Sequence, residues 1–415
     1  MPAAPPPGPL SRRSLLAAAA AAVPAAALAQ DGTRTGDGTL RPDGLTGREA
    51  VDASVTAGPH PGVIVRQWEP RNLEYPLPSL DGRVTPTNQF YVRSHFPVPE
   101  ADPATWTLTV AGLPGPAERR FTLADLEALG TEERTVTMEC AGNGRIFLVP
   151  KPGGLLWETG GVGTAVWRGT PLRAVLGACG VVGVLGSGLA IGGGLPNVQL
   201  TGADRGKLSK YPAPLHYSRG LPFDKATDDV LLATHMNGEP LPPHHGFPLR
   251  AVVPGWYGAA SVKWLDKITL TGEPDRGFFS TFDYATFEGP QAQLTPLTAM
   301  QVKSSLARPA RGERVKAGET YVCRGAAWTG GGETVRRVEF SGDGGVTWAD
   351  ATLVDDPAPN VWTRWRYDWT PATEGDHTLM SRATDSAGAT QPAGHDPLHR
   401  AYKIHHTVPV HVEVV

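Results

Sequence analysis

Of the three cysteines in this chain, Cys140 sits where a thiol can do chemistry. Its surroundings read Thr137-Met138-Glu139-Cys140-Ala141-Gly142-Asn143-Gly144-Arg145. A β-branched run over Thr135 to Met138 leads into a Gly-containing turn, which puts the thiol at the mouth of a loop. Ala141 and Gly142 carry almost no side chain, so a partner can come close to the sulfur. Arg145 favours the thiolate, the form that attacks or ligates a metal. Cys179 and Cys323 lie in apolar helix-like and strand-like runs and read as small buried hydrophobes. Two chemistries fit Cys140 at this point: metal ligation, or nucleophilic attack with His95 or His245 as base. No local cysteine-protease signature accompanies it, and three cysteines cannot build a disulfide framework.

The elements that must hold such a thiol are short. With 50 Gly and 40 Pro, turns and strands should outnumber long helices. Phe121 to Leu129 reads as a helix opened by Thr122, with Asp125 and Glu127 acidic near its start. Leu172 to Ala178 reads as a second helix, and Val230 to Met236 and Leu249 to Val253 as buried strands. This is an α+β region, expected over residues 63–292. After Pro290 the texture changes to strand candidates at Tyr321–Trp328, Val335–Ser341, Val361–Trp369, His377–Thr384 and Thr407–Val414. Turns such as Gly330-Gly331-Gly332 separate them, as in an all-β Ig-like sandwich, expected over residues 293–415.

A length of 415 residues suits two domains. Hydrophobic residues at 40 %, charged residues at 19 % and a formal net charge of −3 argue against a nucleic-acid partner. Residues 1–29 read as a twin-arginine signal peptide. Arg12-Arg13 precedes an apolar stretch from Leu15 to Leu28, and Ala27-Leu28-Ala29 supplies the small residues read at cleavage. The stretch is too short for a membrane span, so no span is expected after signal removal, and the mature protein is expected in the periplasm. Residues 30–62, rich in Gly, Thr and Asp, read as a linker.

Cys140-Ala141-Gly142-Asn143 resembles the molybdenum-binding segment of the sulfite oxidase family, and the resemblance is extended. Phe90-Tyr91-Val92-Arg93-Ser94-His95 lies upstream. Met236-Asn237-Gly238-Glu239-Pro240-Leu241, His245-Gly246-Phe247-Pro248-Leu249-Arg250, Val253-Pro254-Gly255 and Val262-Lys263-Trp264-Leu265 follow in the family's order. Trp328, Gly330, Asp343-Gly344-Gly345 and Trp348 resemble the family's C-terminal dimerisation domain.

The resemblance implies an α+β molybdopterin-binding domain of the sulfite oxidase fold, a Mo-molybdopterin cofactor, and Cys140 as the protein ligand to the metal. It implies that Arg93, Arg145 and Arg400 line an oxyanion pocket, with Tyr284 beside the reacting oxygen. It assigns cofactor binding to Arg93, His95, Asp204, His245, Arg250, Ser261, Val262 and Lys263. The implied reaction is oxygen-atom transfer to sulfite. Guanidiniums suit a small anion because they donate directional hydrogen bonds and keep their charge. No Cys-X-X-Cys-His haem attachment is present, so no haem is expected in this chain, and a c-type cytochrome is the expected electron acceptor. A homodimer is expected by analogy. Three positions depart from the pattern: Gly144 where a first arginine is usual, Ala260 where an arginine is usual, and the His-rich surroundings of Arg400. They put one phosphate contact and the choice of sulfur substrate in question; a sulfane dehydrogenase and a non-catalytic binding protein are the alternatives.

Overall fold

The computed structural model describes residues 62–112, 118–181, 197–209, 211 and 213–415. The expected signal peptide and all of the expected linker except Gly62 lie outside the described residues.

In chain order the first region holds strands β1 (Ile64–Gln67), β2 (Asn72–Glu74), β3 (Thr107–Ala111), β4 (Arg119–Thr122), β5 (Glu132–Glu139), β6 (Val162–Pro171), β7 (Asn197–Gly206), β8 (Leu215–Pro222), β9 (Leu231–Met236), β10 (Glu239–Pro240), β11 (Arg250–Val252) and β12 (Leu265–Thr271). Among the described residues three short α-helices punctuate them: α1 (Leu123–Ala128), α2 (Leu172–Ala178) and α3 (Phe223–Asp228). One sheet runs β10-β9-β6-β5, with β11 also on β9, and a second runs β4-β3-β12-β7-β8.

The helices start where their caps dictate. Thr122 accepts from the Asp125 amide at 3.1 Å, and the Asp125 carboxylate accepts from the Thr122 amide at 2.8 Å, a reciprocal capping box. The helix expected from Phe121 opens two residues later because Phe121 and Thr122 pair with Leu108 and Thr107 of β3. Helix α2 occupies the expected span and buries Leu172, Val175 and Leu176, the i, i+3, i+4 face.

The hairpin β13 (Ala285–Glu288) and β14 (Gln293–Pro296) straddles the expected domain junction at 292/293. Beyond it come β15 (Lys303–Arg308), β16 (Arg314–Val315), β17 (Tyr321–Trp328), β18 (Val335–Ser341), β19 (Ala349–Asp350), β20 (Thr352–Leu353), β21 (Thr363–Trp369), β22 (Gly375–Asp385) and β23 (Val410–Val414). They form two sheets, β15-β17-β21-β20 and β16-β23-β22-β18-β19. Cys323, Phe340, Trp365 and Leu379 fill the space between them. Strand β21 opens at Thr363 rather than Val361, because the Trp362 amide is drawn off to the first domain, donating to Thr137 Oγ1 at 2.7 Å.

A shared apolar cluster joins the two regions. It contains Tyr75, Ala141, Tyr257 and Tyr284 from one side and Ala326, Trp328 and Trp362 from the other. Among the described residues no helix is long and apolar enough to cross a membrane.

Candidate active site

Strand β5 carries the site on one face and an anchor on the other. Its period of two sends Val136, Met138 and then Cys140 into one buried cluster. Thr137 and Glu139 point the opposite way, toward the second domain. The turn after Cys140 is tied to the chain entering β6. The Cys140 amide donates to the Gly161 carbonyl at 2.7 Å, and the Gly161 amide donates to Asn143 Oδ1 at 3.0 Å. The Asn143 amide closes the turn on the Cys140 carbonyl at 2.9 Å. Gly142 leaves room for the Arg145 guanidinium, since a Cβ there would stand 2.4 Å from it and push it aside. Gly144 follows with φ 98°, open to glycine and strained for other residues.

In front of Cys140 lies a cavity of about 660 Å³, counting its open mouth. Nine of the expected site residues line it. Arg93 and His95 come from the chain after β2; Asp204 comes from β7; His245, Arg250, Ser261 and Lys263 flank β11; Tyr284 precedes β13 and faces Cys140.

Three expected residues stand elsewhere. The Val262 side chain is fully buried in the main core and does not line the cavity. Arg145 lies behind the Cys140 turn. Its Nε donates to the Ala401 carbonyl at 3.1 Å, its Nη1 to the Leu155 carbonyl at 3.2 Å, and it stacks 5.2 Å over Tyr402. Arg400 donates to the carbonyls of Phe282 and Ala285, each at 2.9 Å, and so braces the Tyr284 loop from outside. The expected three-arginine lining is therefore one lining arginine with two behind it.

The cations are held by short-range geometry. Arg93 donates to Asn72 Oδ1 at 3.2 Å and to the Ser94 carbonyl, and its Nη2 lies 3.1 Å from His95 Nδ1. Lys263 Nζ donates to Ser94 Oγ at 2.8 Å and to the His244 carbonyl at 2.9 Å, and sits 4.2 Å over Trp264. Arg250 donates to the His245 carbonyl at 2.9 Å and the Ser261 carbonyl at 3.1 Å, above the Trp167 ring at 4.8 Å. Ser261 accepts from the Val253 amide at 3.0 Å, so its hydroxyl also braces backbone.

Burial sets the protonation states. It pushes the Cys140 thiol up, against the pull of Arg93 and Arg145, so Arg145 alone does not produce a thiolate; a bound metal would. Burial, with Arg93, Lys263 and Arg145 nearby, holds His95 well below its ordinary range, and burial with Arg250 and Lys263 does the same to His245. Lys263 is driven well down by burial and Arg250, and Arg250 falls to about 10 through burial. Asp204 is raised to about 6 by burial, with Lys263 opposing.

These residues fit a molybdopterin. Asp204 Oδ1 is buried with no hydrogen-bond partner among the described residues, an acceptor awaiting a donor. Two buried cations, Arg250 and Lys263, crowd each other and call for an anion such as a phosphate. A Cβ at Gly258 would meet the Tyr91 hydroxyl at 2.4 Å, so the cavity wall there is kept thin by glycine. Among the described residues no cluster of three or more His, Cys, Asp or Glu could hold a metal.

Some residues escaped sequence reasoning. Tyr217 stacks on His95 at 5.4 Å and donates to the Ala259 carbonyl at 2.7 Å. Arg219, two residues on and fully buried, donates to the carbonyls of Phe279, Tyr284 and Leu297. The signal available was the i, i+2 alternation in β8, readable only once that run is taken as a strand.

Comparison with known proteins covers both domains. Residues 95–279 match the family model for the oxidoreductase molybdopterin binding domain, and residues 295–411 that for the Mo-co oxidoreductase dimerisation domain. Mitochondrial sulfite oxidase of Mus musculus is 35 % identical over 80 % of this chain, and the matched part spans 62 % of that protein. Sulfite oxidase of Gallus gallus is 35 % identical over 82 % of this chain and 75 % of its own. The solved sulfane dehydrogenase SoxCD of Paracoccus pantotrophus superposes with a TM-score of 0.70 at 27 % identity, covering 83 % of this chain and 84 % of that one.

Proposed function

Since the chain belongs to the sulfite oxidase family of molybdopterin oxidoreductases, we propose that it oxidises sulfite to sulfate and passes the two electrons to an external acceptor. The observation that carries this reading is the meeting of Cys140, Arg93, His95 and Tyr284 on one cavity. When bound, the molybdenum cofactor supplies the two-electron centre and the transferable oxygen.

The chain's own residues do the rest. Cys140 would ligate the metal, while Asp204, His245, Arg250 and Lys263 would hold the pterin and its phosphate. Arg93 presents a permanent positive charge to an anionic substrate. Because a guanidinium only donates, the ring nitrogen it faces must be bare, and His95 is kept neutral. Arg145 adds positive charge from behind the turn, and Arg400 holds the Tyr284 loop in place. Water supplies the fourth oxygen of sulfate, and two protons leave with the two electrons.

We infer further that the protein is exported by the twin-arginine route, works outside the cytoplasmic membrane as a homodimer, and reduces a c-type cytochrome. The export pathway carries folded proteins, which suits a chain that must receive its cofactor first. The likeness to SoxCD supports a second reading, a sulfane dehydrogenase acting on sulfur bound to a carrier.

Molybdenum content of the purified protein, measured beside sulfite-dependent reduction of ferricyanide, tests the proposal. Near-stoichiometric metal with sulfite activity supports it. Metal with activity only on carrier-bound sulfur transfers the assignment to the second reading, and a fully matured sample without molybdenum refutes both.

A further inference from the structure

We propose that Lys303, on the first strand of the C-terminal sandwich, is a positioning residue that fixes the Cys140 turn through Glu139 and Asn143. The proposal rests on Cys140 as the metal ligand only for its catalytic consequence. The clamp itself belongs to the chain.

Glu139 and Lys303 are both almost completely buried, and they pair across the domain junction at 2.9 Å. Both oxygens of the carboxylate are in use. Its Oε1 takes the Lys303 ammonium and the Asn143 side-chain amide at 3.0 Å, and its Oε2 takes the Trp328 indole N–H at 2.9 Å. The ammonium also donates to the Asn143 carbonyl at 3.0 Å. Lys303 therefore grips the turn at two points: directly at its last residue, and through Glu139 at the residue before the thiol. The Asn143 side chain passes the hold onward to Gly161.

A buried ion pair is a poor way to gain stability, because removing two charges from water consumes most of what their attraction returns. What it does supply is direction. Cys140 directly follows Glu139, and strand alternation makes their side chains face opposite ways. Holding the carboxylate against the second domain thus aims the thiol into the cavity. A single ammonium carries three donors and a charge that matches the carboxylate, whereas a thioether offers no donor and an amide offers two in one plane without the charge. The C-terminal domain is on this view part of the catalytic apparatus in each chain, separately from any role in pairing two chains.

The experiment uses the full chain carrying Glu139→Gln with Lys303→Met, and a second variant, Lys303→Gln. The double variant exchanges the buried pair for neutral groups of similar size, but the new amide turns an N–H toward a donor, the Asn143 amide or the Trp328 indole. Its thermal midpoint should therefore fall modestly, and the comparison is made on folded protein. Two measurements separate positioning from stability. The first is the rate of Cys140 alkylation by iodoacetamide in chain produced without cofactor, with half-buried Cys179 as the internal reference. The second is kcat against KM in the loaded enzyme. The expected result is alkylation of Cys140 about tenfold faster, Cys179 unchanged, and kcat down about 10- to 100-fold with KM within about twofold, the range typical of residues that orient a metal ligand. Lys303→Gln, which keeps two N–H donors but loses the charge, should fall between. If either folded variant alkylates at the parental rate and keeps the parental kcat, the proposal is overturned. A parental protein lacking molybdenum would sink the functional reading instead, and the alkylation comparison would still decide the clamp.

Discussion

The Tyr284 hydroxyl lies 2.8 Å from Nε2 of His95, although 189 residues separate them in sequence. Arg93 touches the same imidazole, so three functional groups from two distant segments form one continuous chain along the cavity wall. The imidazole is neutral for the reason given above. Burial raises the Tyr284 hydroxyl to about 12, so the phenol keeps its proton throughout the physiological range. The wall is thereby fixed as a set of donors backed by one permanent charge.

Tyr284→Phe removes one of those donors without disturbing the ring's packing against Tyr402. A hydrogen bond to a charged group contributes about 1.5–3 kcal/mol, so KM for sulfite should rise at least about tenfold while the thermal midpoint stays nearly constant. Steady-state kinetics on the purified variant check this, and an unchanged kcat/KM would remove Tyr284 from the substrate's surroundings.

Cys140→Ser should fold, because the side chain changes little in volume within a pocket that already contains polar groups. Turnover should fall by more than about a hundredfold, beyond the loss seen for residues that merely support a ligand. Sulfite-dependent ferricyanide reduction gives the readout, with circular dichroism as the control for folding. Parental activity would exclude Cys140 as the ligand.

Gly142→Ala places a Cβ 2.4 Å from the Arg145 guanidinium and 2.7 Å from its central carbon. Arg145 must then leave the Ala401 and Leu155 carbonyls, and overpacking of this kind costs about 1–3 kcal/mol. Urea unfolding should show the loss, together with reduced turnover as the cation moves. A variant as stable as the parent would mean that the turn yields more easily than its contacts imply.

Two histidines near Arg400, His399 and His406, make stability depend on acid. Burial, then Lys403, lowers His399 to about 4, and burial, then Lys303, lowers His406 to about 4. Below the ordinary value of 6.5 the unfolded chain binds protons that the folded chain refuses, so stability is lost as pH falls from 6.5 toward 4 and is flat above 6.5. Asp204 acts in the opposite sense, since its raised value lets the folded state hold a proton between 3.8 and about 6. Thermal midpoints across pH 4.5 to 7.5 should therefore decline on the acid side, and less steeply in His399→Asn/His406→Asn. Equal slopes would show that these two histidines are not the groups responsible.

How much of this was legible beforehand varied with the physics. The Cys140 loop, helix α2 and strands β17 and β18 could be read because local periodicity, small residues and turns act over a few positions. The cavity lining followed from motif resemblance, and nine of its residues do converge on the cavity. Arg145 and Arg400 stand behind the lining in this structure, because a motif gives position along the chain and says nothing about which carbonyl claims a guanidinium. Lys303 was invisible for the same reason: its partner lies 164 residues away, and a lysine opening the polar run Lys303-Ser304-Ser305 looks like a surface residue until the facing domain is known. Strand β4 cut short the helix expected from Phe121, because pairing with β3 outweighed local helix propensity.

The hydrogen bond between Thr137 and Trp362 joins residues 225 positions apart. At a synthesis rate of about 5–20 residues per second, roughly 10–45 s pass between the emergence of the two. Through that interval β5, an edge strand of its sheet, has nothing from the second domain along its open side. The order of events during translation follows: β5, which leads into Cys140, gains its contacts with Asn360 and Trp362 only after most of the polypeptide has left the ribosome. A chain truncated before residue 360 would present that edge to any neighbouring strand, so full-length synthesis protects this protein from misassembly.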